Sequence, residues 1–190
     1  RLDKETTGLM VVAKTIPTQI RLVAALQKRR ITREYEAIVV GHMTAGGTVD
    51  EPISRHSTQR TMMAVNPMGK PAVTHYRVAE RFRAHTRLRC RLETGRTHQI
   101  RVHMAHINHA LVGDPVYGGR LRPIRNASVE LSDFLRTFRR QALHATMLRL
   151  VHPITGEEME WHSPIPDDMV QLIEVLRLDS AEHPDDIVWV

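Results

Sequence analysis

Two short stretches hold the residue types best suited to chemistry: Arg1-Leu2-Asp3-Lys4-Glu5-Thr6-Thr7-Gly8-Leu9, and Thr94-Gly95-Arg96-Thr97-His98-Gln99-Ile100-Arg101-Val102-His103. Asp3 supplies a carboxylate, which serves as base, nucleophile or charge stabiliser when it is held ionised. In a polar turn its commoner task is to accept hydrogen bonds from local backbone N–H groups. A third pattern, His103, His106 and His109, has the H-x-x-H-x-x-H spacing that brings ring nitrogens to one side of a helix. No cysteine or acidic ligand motif accompanies it, and His103 shares an apolar face with Ile100, Met104 and Ile107. The expectation for His103 is therefore core packing, with no metal site. The chain has no G-x-x-x-x-G-K, G-x-G-x-x-G or G-x-S-x-G segment, so nucleotide hydrolysis, hydride transfer and serine esterase chemistry lack support. Twelve histidines leave a histidine-assisted ribonuclease open, without an ordered motif behind it.

Charge narrows the partner. The 190 residues carry 27 basic and 21 acidic side chains, a formal charge of +6 and a pI near 10.1. Only four of the 27 are Lys, which leaves 23 Arg. Guanidinium groups grip phosphates in bidentate fashion and stack on bases, so nucleic acid is the leading partner. A general arginine bias of composition is the competing explanation. Cys90 is the single cysteine, which excludes an intramolecular disulfide and fits a reducing, cytoplasmic setting. No apolar run approaches the roughly 20 residues of a membrane span, and a soluble protein without a membrane partner is expected.

The elements that must position these residues follow from periodicity. Leu9 to Ala13 reads as a buried strand fed by the Asp3 turn. Thr15-Ile16-Pro17 opens a helix with Ile20, Val23, Ala24 and Leu26 on its apolar face. Thr32 to Val40 reads as a strand, with Tyr35, Ala37 and Val39 on one face. Shorter strands are expected over 48–53 and 61–65, and a hairpin over Ala72 to Phe82 and Thr86 to Glu93. Arg87, Arg89 and Arg91 share a face of its second arm, either tracking a phosphate backbone or paired with acids next door. Thr97 to Ile107 returns to helical spacing, capped by Thr97. The glycine-bearing stretch from Asn108 to Asn126 is long enough to be a functional loop. A helix around Leu131, Phe134, Leu135 and Phe138 follows, then strands over 143–151 and 158–161, then a helix burying Met169, Leu172, Ile173 and Leu176. Hairpin signals outnumber strand-helix-strand units, so the fold class is α+β, a mainly antiparallel or mixed sheet flanked by helices. One domain over residues 1–178 and an acidic, fraying tail over 179–190 are expected.

Arg1-Leu2-Asp3 with Thr6 to Lys14, Tyr35-Glu36-Ala37, and Thr94 to Met104 with Gly113-Asp114-Pro115, in this order, resemble the RluA family of pseudouridine synthases. The resemblance continues to the region of Trp161 and Pro164 and the last helix. It implies an isomerase that detaches a uracil of ribosomal RNA at N1, rotates it and rejoins it through C5, with no cofactor or metal. By the same resemblance Asp3 matches the catalytic carboxylate, as nucleophile or as promoter of a glycal intermediate. Tyr35 matches a tyrosine that stacks on the base and is a candidate general base, and Arg101 the arginine that pairs with the aspartate. Arg1 matches the arginine that helps displace the flipped nucleotide, and Arg96, His98 and Gln99 lie where RNA is bound.

The resemblance also implies a piece of a longer protein, since the histidine that usually precedes Arg1 is not in the sequence; a monomer is expected. An upstream part of the catalytic domain and an S4-type RNA-binding domain would then lie elsewhere, with open strand edges left behind. A non-catalytic RNA-binding or ribosome-assembly module is the alternative function.

Overall fold

The computed structural model describes residues 1–188. Its centre is β2 (Thr32–Val40), whose residues 35–39 are all buried because both faces of the strand are covered. Tyr35, Ala37 and Val39 enter one apolar core with Leu88, Cys90, Ile100 and Met104. Ile38 faces the opposite core with Leu131, Leu135, Met169, Leu172, Ile173 and Leu176.

Around β2 lie β1 (Thr7–Gly8), β3 (Gly47–Asp50), β6 (Val73–Arg81), β7 (His85–Leu92), β8 (Leu143–Val151) and β9 (Glu158–His162). The sheet runs β1-β8-β2-β7-β6-β3, with β9 also on β8. Every pair is antiparallel except β1 with β8, where Thr7 meets His144 and Gly8 meets Ala145. A bulge between Glu34 and Tyr35 shifts the β2 register against β8. Separately, β4 (Ile53–Arg55) and β5 (Met63–Val65) form a two-stranded ribbon. The expected α+β class holds, with a mixed and mainly antiparallel sheet.

Of the helices, α1 (Ile16–Gln27) is capped by Thr15, whose hydroxyl accepts from the Thr18 amide. Short α2 (Gln99–His106) covers the Tyr35 face, while α3 (Val129–Thr137) and α4 (Asp167–Glu182) cover the Ile38 face. The four residues expected to be buried on the last helix are buried. No described helix is long and apolar enough to cross a membrane.

Four expectations are corrected. Leu9 to Ala13 is not a buried strand: the strand ends at Gly8, and Met10 and Val12 are 53% and 71% exposed. The buried side of α1 is Leu22 with Ala25 and Leu26, while Ile20 and Val23 face outward. The residue before α2 is His98, in a left-handed conformation with φ 57°, and Thr97 does not cap it. The proposed boundary at 178 falls inside α4, which continues to Glu182, and Asp179 is buried. Residues 189 and 190 of the expected tail lie outside the described residues.

Candidate active site

The turn bearing Asp3 is held from three sides. The Thr6 amide closes it on the Asp3 carbonyl at 3.0 Å. Gln141, fully buried, donates its amide to the Lys4 carbonyl at 2.7 Å and the Thr6 hydroxyl at 3.0 Å. Arg140 donates to the Glu5 carbonyl at 3.2 Å. Downstream, Gly8 lies against the Ala145 backbone at φ 107°, where a Cβ would come within 2.2 Å of the Ala145 carbonyl oxygen. Only glycine fits there without strain, so Gly8 fixes where the Asp3 turn leaves the sheet.

Across the cleft, α2 supplies Arg101. Its guanidinium donates through Nε and Nη2 to the two oxygens of Asp114, at 2.7 and 2.9 Å. Through Nη1 it reaches Asp3 Oδ2 at 3.5 Å, long for a hydrogen bond but close for an ion pair. Both Arg101 and Asp114 are buried, and the Asp3 side chain is 15% exposed. Burial by itself would lower the Arg101 pKa; the Asp114 bonds and the charges of Asp114 and Asp3 outweigh it and raise the value. For Asp114 burial pushes upward, and the Arg101 bonds with the amides of Tyr117 and Val116 bring the pKa below the usual carboxylate range. Arg101 is thus a permanent cation, aimed by Asp114 at Asp3. Among the described residues Asp3 Oδ1 accepts no hydrogen bond, which leaves one carboxylate oxygen free to face a ligand.

Tyr117 completes the wall. Its ring lies 5.1 Å from the Arg101 guanidinium carbon, its hydroxyl accepts from the Met63 amide at 2.8 Å, and His98 Nδ1 lies 2.7 Å from that hydroxyl. Burial lowers the His98 pKa, against the pull of the Asp3 charge. Tyr35 lines the neighbouring cleft with Arg1, Leu2, Met10 and Met147. Burial raises its pKa, Arg33 opposes that and Asp3 reinforces it, so the phenol keeps its proton at neutral pH.

The structure therefore gathers Asp3, Arg101, His98 and, by charge coupling, Tyr35. Arg1 is exposed at the cleft, and Arg96 sits on the rim with Nε donating to the Pro71 carbonyl. Gln99 stands apart. It is 3% exposed, and its amide is committed to Thr94, the Arg96 amide, the Val73 carbonyl and Thr74, an arrangement that fixes the loop before α2. His103 is a core residue, with Nε2 donating to the Glu51 carbonyl and Nδ1 on the Thr74 hydroxyl. In the arginine row of β7, Arg87 pairs with Glu36 and Glu80 and Arg89 with Glu36, whereas Arg91 reaches the Thr32 hydroxyl. Sequence reasoning missed Asp114, Tyr117 and Gln141 as parts of the site. The available signal was an arginine on the buried face of a helix, which needs an acid, and the nearby Gly113-Asp114-Pro115 offered one.

Residues 1–106 match the family model described as RNA pseudouridylate synthase. The whole chain is 74% identical to ribosomal large subunit pseudouridine synthase D of Escherichia coli K12, and 98% of it is 68% identical to the protein so named in Haemophilus influenzae. It spans 58% of the length of each of these curated relatives. Among solved structures, human RNA pseudouridylate synthase domain containing 4 superposes with a TM-score of 0.74 at 28% identity, over 93% of this chain and 74% of that one. Human RNA pseudouridylate synthase domain containing 1 gives 0.68 at 27%, over 93% and 78%. With the family model covering more than half of its residues, the chain belongs to the RNA pseudouridylate synthase family.

Proposed function

We propose that the protein to which this chain belongs converts specific uridines of large-subunit (23S) ribosomal RNA to pseudouridine. The observation that carries the reading is the Asp3 carboxylate, with Oδ2 tethered to an Arg101 that is itself locked by Asp114 and with Oδ1 free. In such a cleft the arginine gives the carboxylate a fixed counterion and aims it while RNA displaces water.

The N1–C1′ bond breaks, the uracil turns and C5 bonds to C1′; C5 gives up its hydrogen and N1 gains one, so the product is an isomer. Asp3 serves either by attacking C1′ or by assisting proton loss from the sugar. Tyr35, protonated and buried beneath the cleft, offers a ring to the extruded base, and it acts as a base only if the bound RNA lowers its pKa. Arg1, Arg96 and His98 face the RNA, and Gln99 acts by holding the loop that carries Arg96 and His98. This reading includes a monomeric cytoplasmic enzyme without metal or organic cofactor.

The test is Asp3→Asn in the full-length protein, with release of tritium from 5-labelled uridine in ribosomal RNA as readout. Turnover is expected to fall by ~10³-fold or more, on the order of what loss of a group acting at the reacting centre costs, with RNA affinity kept. Retained turnover removes Asp3 from the mechanism. Tritium-silent binding by the unmutated protein would leave an RNA-binding module instead.

A further inference from the structure

Arg33 differs from the other deeply placed arginines of the molecule. Arg83 is bonded to Asp179, Arg101 to Asp114, Arg87 to Glu36 and Arg140 to Asp168. Among the described residues the Arg33 guanidinium makes no ion pair and no hydrogen bond, and its Nε is buried without a partner. A half-buried guanidinium with no counterion of its own is disposed to take an anion. Burial accordingly lowers its pKa, although the side chain stays charged at neutral pH.

Its surroundings are built to hold it. Arg33 stands on β2 two residues before Tyr35 and lines the same cleft, with Arg1, Leu9, Met10 and Met147. Its charge acts on the Tyr35 phenol, which also feels Asp3. On the far side a Cβ at Gly95 would come within 2.6 Å of Arg33 Nη1, so the bare backbone of Gly95 leaves the space the guanidinium occupies. The arginine is thus lodged between the Tyr35 strand and the loop before α2, beside the proposed reaction site and lacking an anion.

RNA carries its charge on phosphates alone, and a guanidinium fork matches two phosphate oxygens. We propose that Arg33 grips a backbone phosphate of the RNA next to the nucleotide that enters the Asp3 cleft. This rests on the RNA-modifying reading above and adds to it a binding residue and the group it holds.

The full-length protein carrying Arg33→Ala or Arg33→Lys tests it. Arg33→Ala should bind substrate RNA about tenfold more weakly near 0.1 M salt, with the slope of log affinity against log salt reduced by roughly 0.7–0.9, one phosphate contact. Arg33→Lys should recover the slope but only part of the affinity, since an ammonium is a point charge. The melting temperature should not fall, because no internal partner is lost. Replacing single linkages around the target uridine by neutral methylphosphonates supplies a double-mutant cycle. At one linkage the unmutated protein should lose the same tenfold and Arg33→Ala nothing more. Unchanged affinity and slope, a lowered melting temperature with unchanged affinity, or additivity at every linkage each overturns the assignment. In all three cases tritium release by the unmutated protein shows that the enzyme reading stands, whereas its absence brings down that reading itself.

Discussion

At the scale of single residues, the site rests on a division of labour between two aspartates. Asp3 is partly open and lightly tethered; Asp114 is fully buried and bonded twice to Arg101 and twice to backbone amides. The motif resemblance marks Asp3, Tyr35 and Arg101. Composition and spacing alone leave Asp3 an ordinary turn residue and Arg101 a helix arginine. The tight partner of Arg101 stays illegible because it lies in an irregular loop, where no periodicity says which way a side chain points. Asp114→Asn keeps the shape and the amide bonds at Oδ1 but removes the charge facing the guanidinium. It should lower stability by roughly 3 kcal/mol, since one partner of a buried pair is left charged. Urea unfolding of the full-length variant measures this, and tritium release should fall with it because Arg101 is no longer aimed at Asp3.

At the scale of elements, the most legible segments are those with a clear period and free choice of only one face. Strand β8 lies where alternation puts it, and α4 buries the expected Met169, Leu172, Ile173 and Leu176. Helix α1 is apolar nearly all round, from Ile16 through Leu26, so its spacing cannot select the Leu22 side over the Ile20 side. Leu9 to Ala13 fails for a non-local reason: β9 occupies the edge of β8 from Met147 to Val151, so a chain paired at His144 and Ala145 cannot run on beside β8. Gly8 is where it turns away, and Gly8→Ala tests that junction. With φ at 107° and the Ala145 backbone in the way, the substitution should cost about 1–3 kcal/mol, the range for strain at a special backbone position. Chemical unfolding reads the loss. Displacement of the Asp3 turn should also lower kcat more than RNA affinity.

At the scale of the whole molecule, the end of the C-terminal helix is fastened to the sheet through Arg83, and its middle through Arg177 on Glu80 of β6. Arg83, at the β6–β7 turn, bonds both oxygens of Asp179, reaches Asp186 at 3.0 Å and donates to the Arg125 carbonyl at 2.8 Å. Its own amide bonds Ser180, and its carbonyl accepts from the Val188 amide. This is why 179–182 is helix where composition reads as a fraying acidic tail: a buried ion pair between residues 96 apart leaves no local trace. Beside the junction lies His85, buried, its Nδ1 without a partner. Burial lowers its pKa to about 4, with Asp179 pulling it up and Arg83 pushing it down. The unfolded chain takes up that proton near pH 6.5, the folded chain only near 4, so the unfolded state binds more protons between these values and stability falls as pH drops through the window. The loss traceable to His85 reaches up to about 3 kcal/mol at pH 4. Carboxylates held low by partners, such as Asp114 and Asp168, contribute stability above their unfolded values near 4 and lose it below, beneath most of this window. His85→Leu should therefore change stability little at pH 7 and flatten its decline between pH 6.5 and 4.5, measured by urea unfolding of both proteins across that range. Parallel declines would show that His85 takes up its proton in the folded protein as readily as in the unfolded chain.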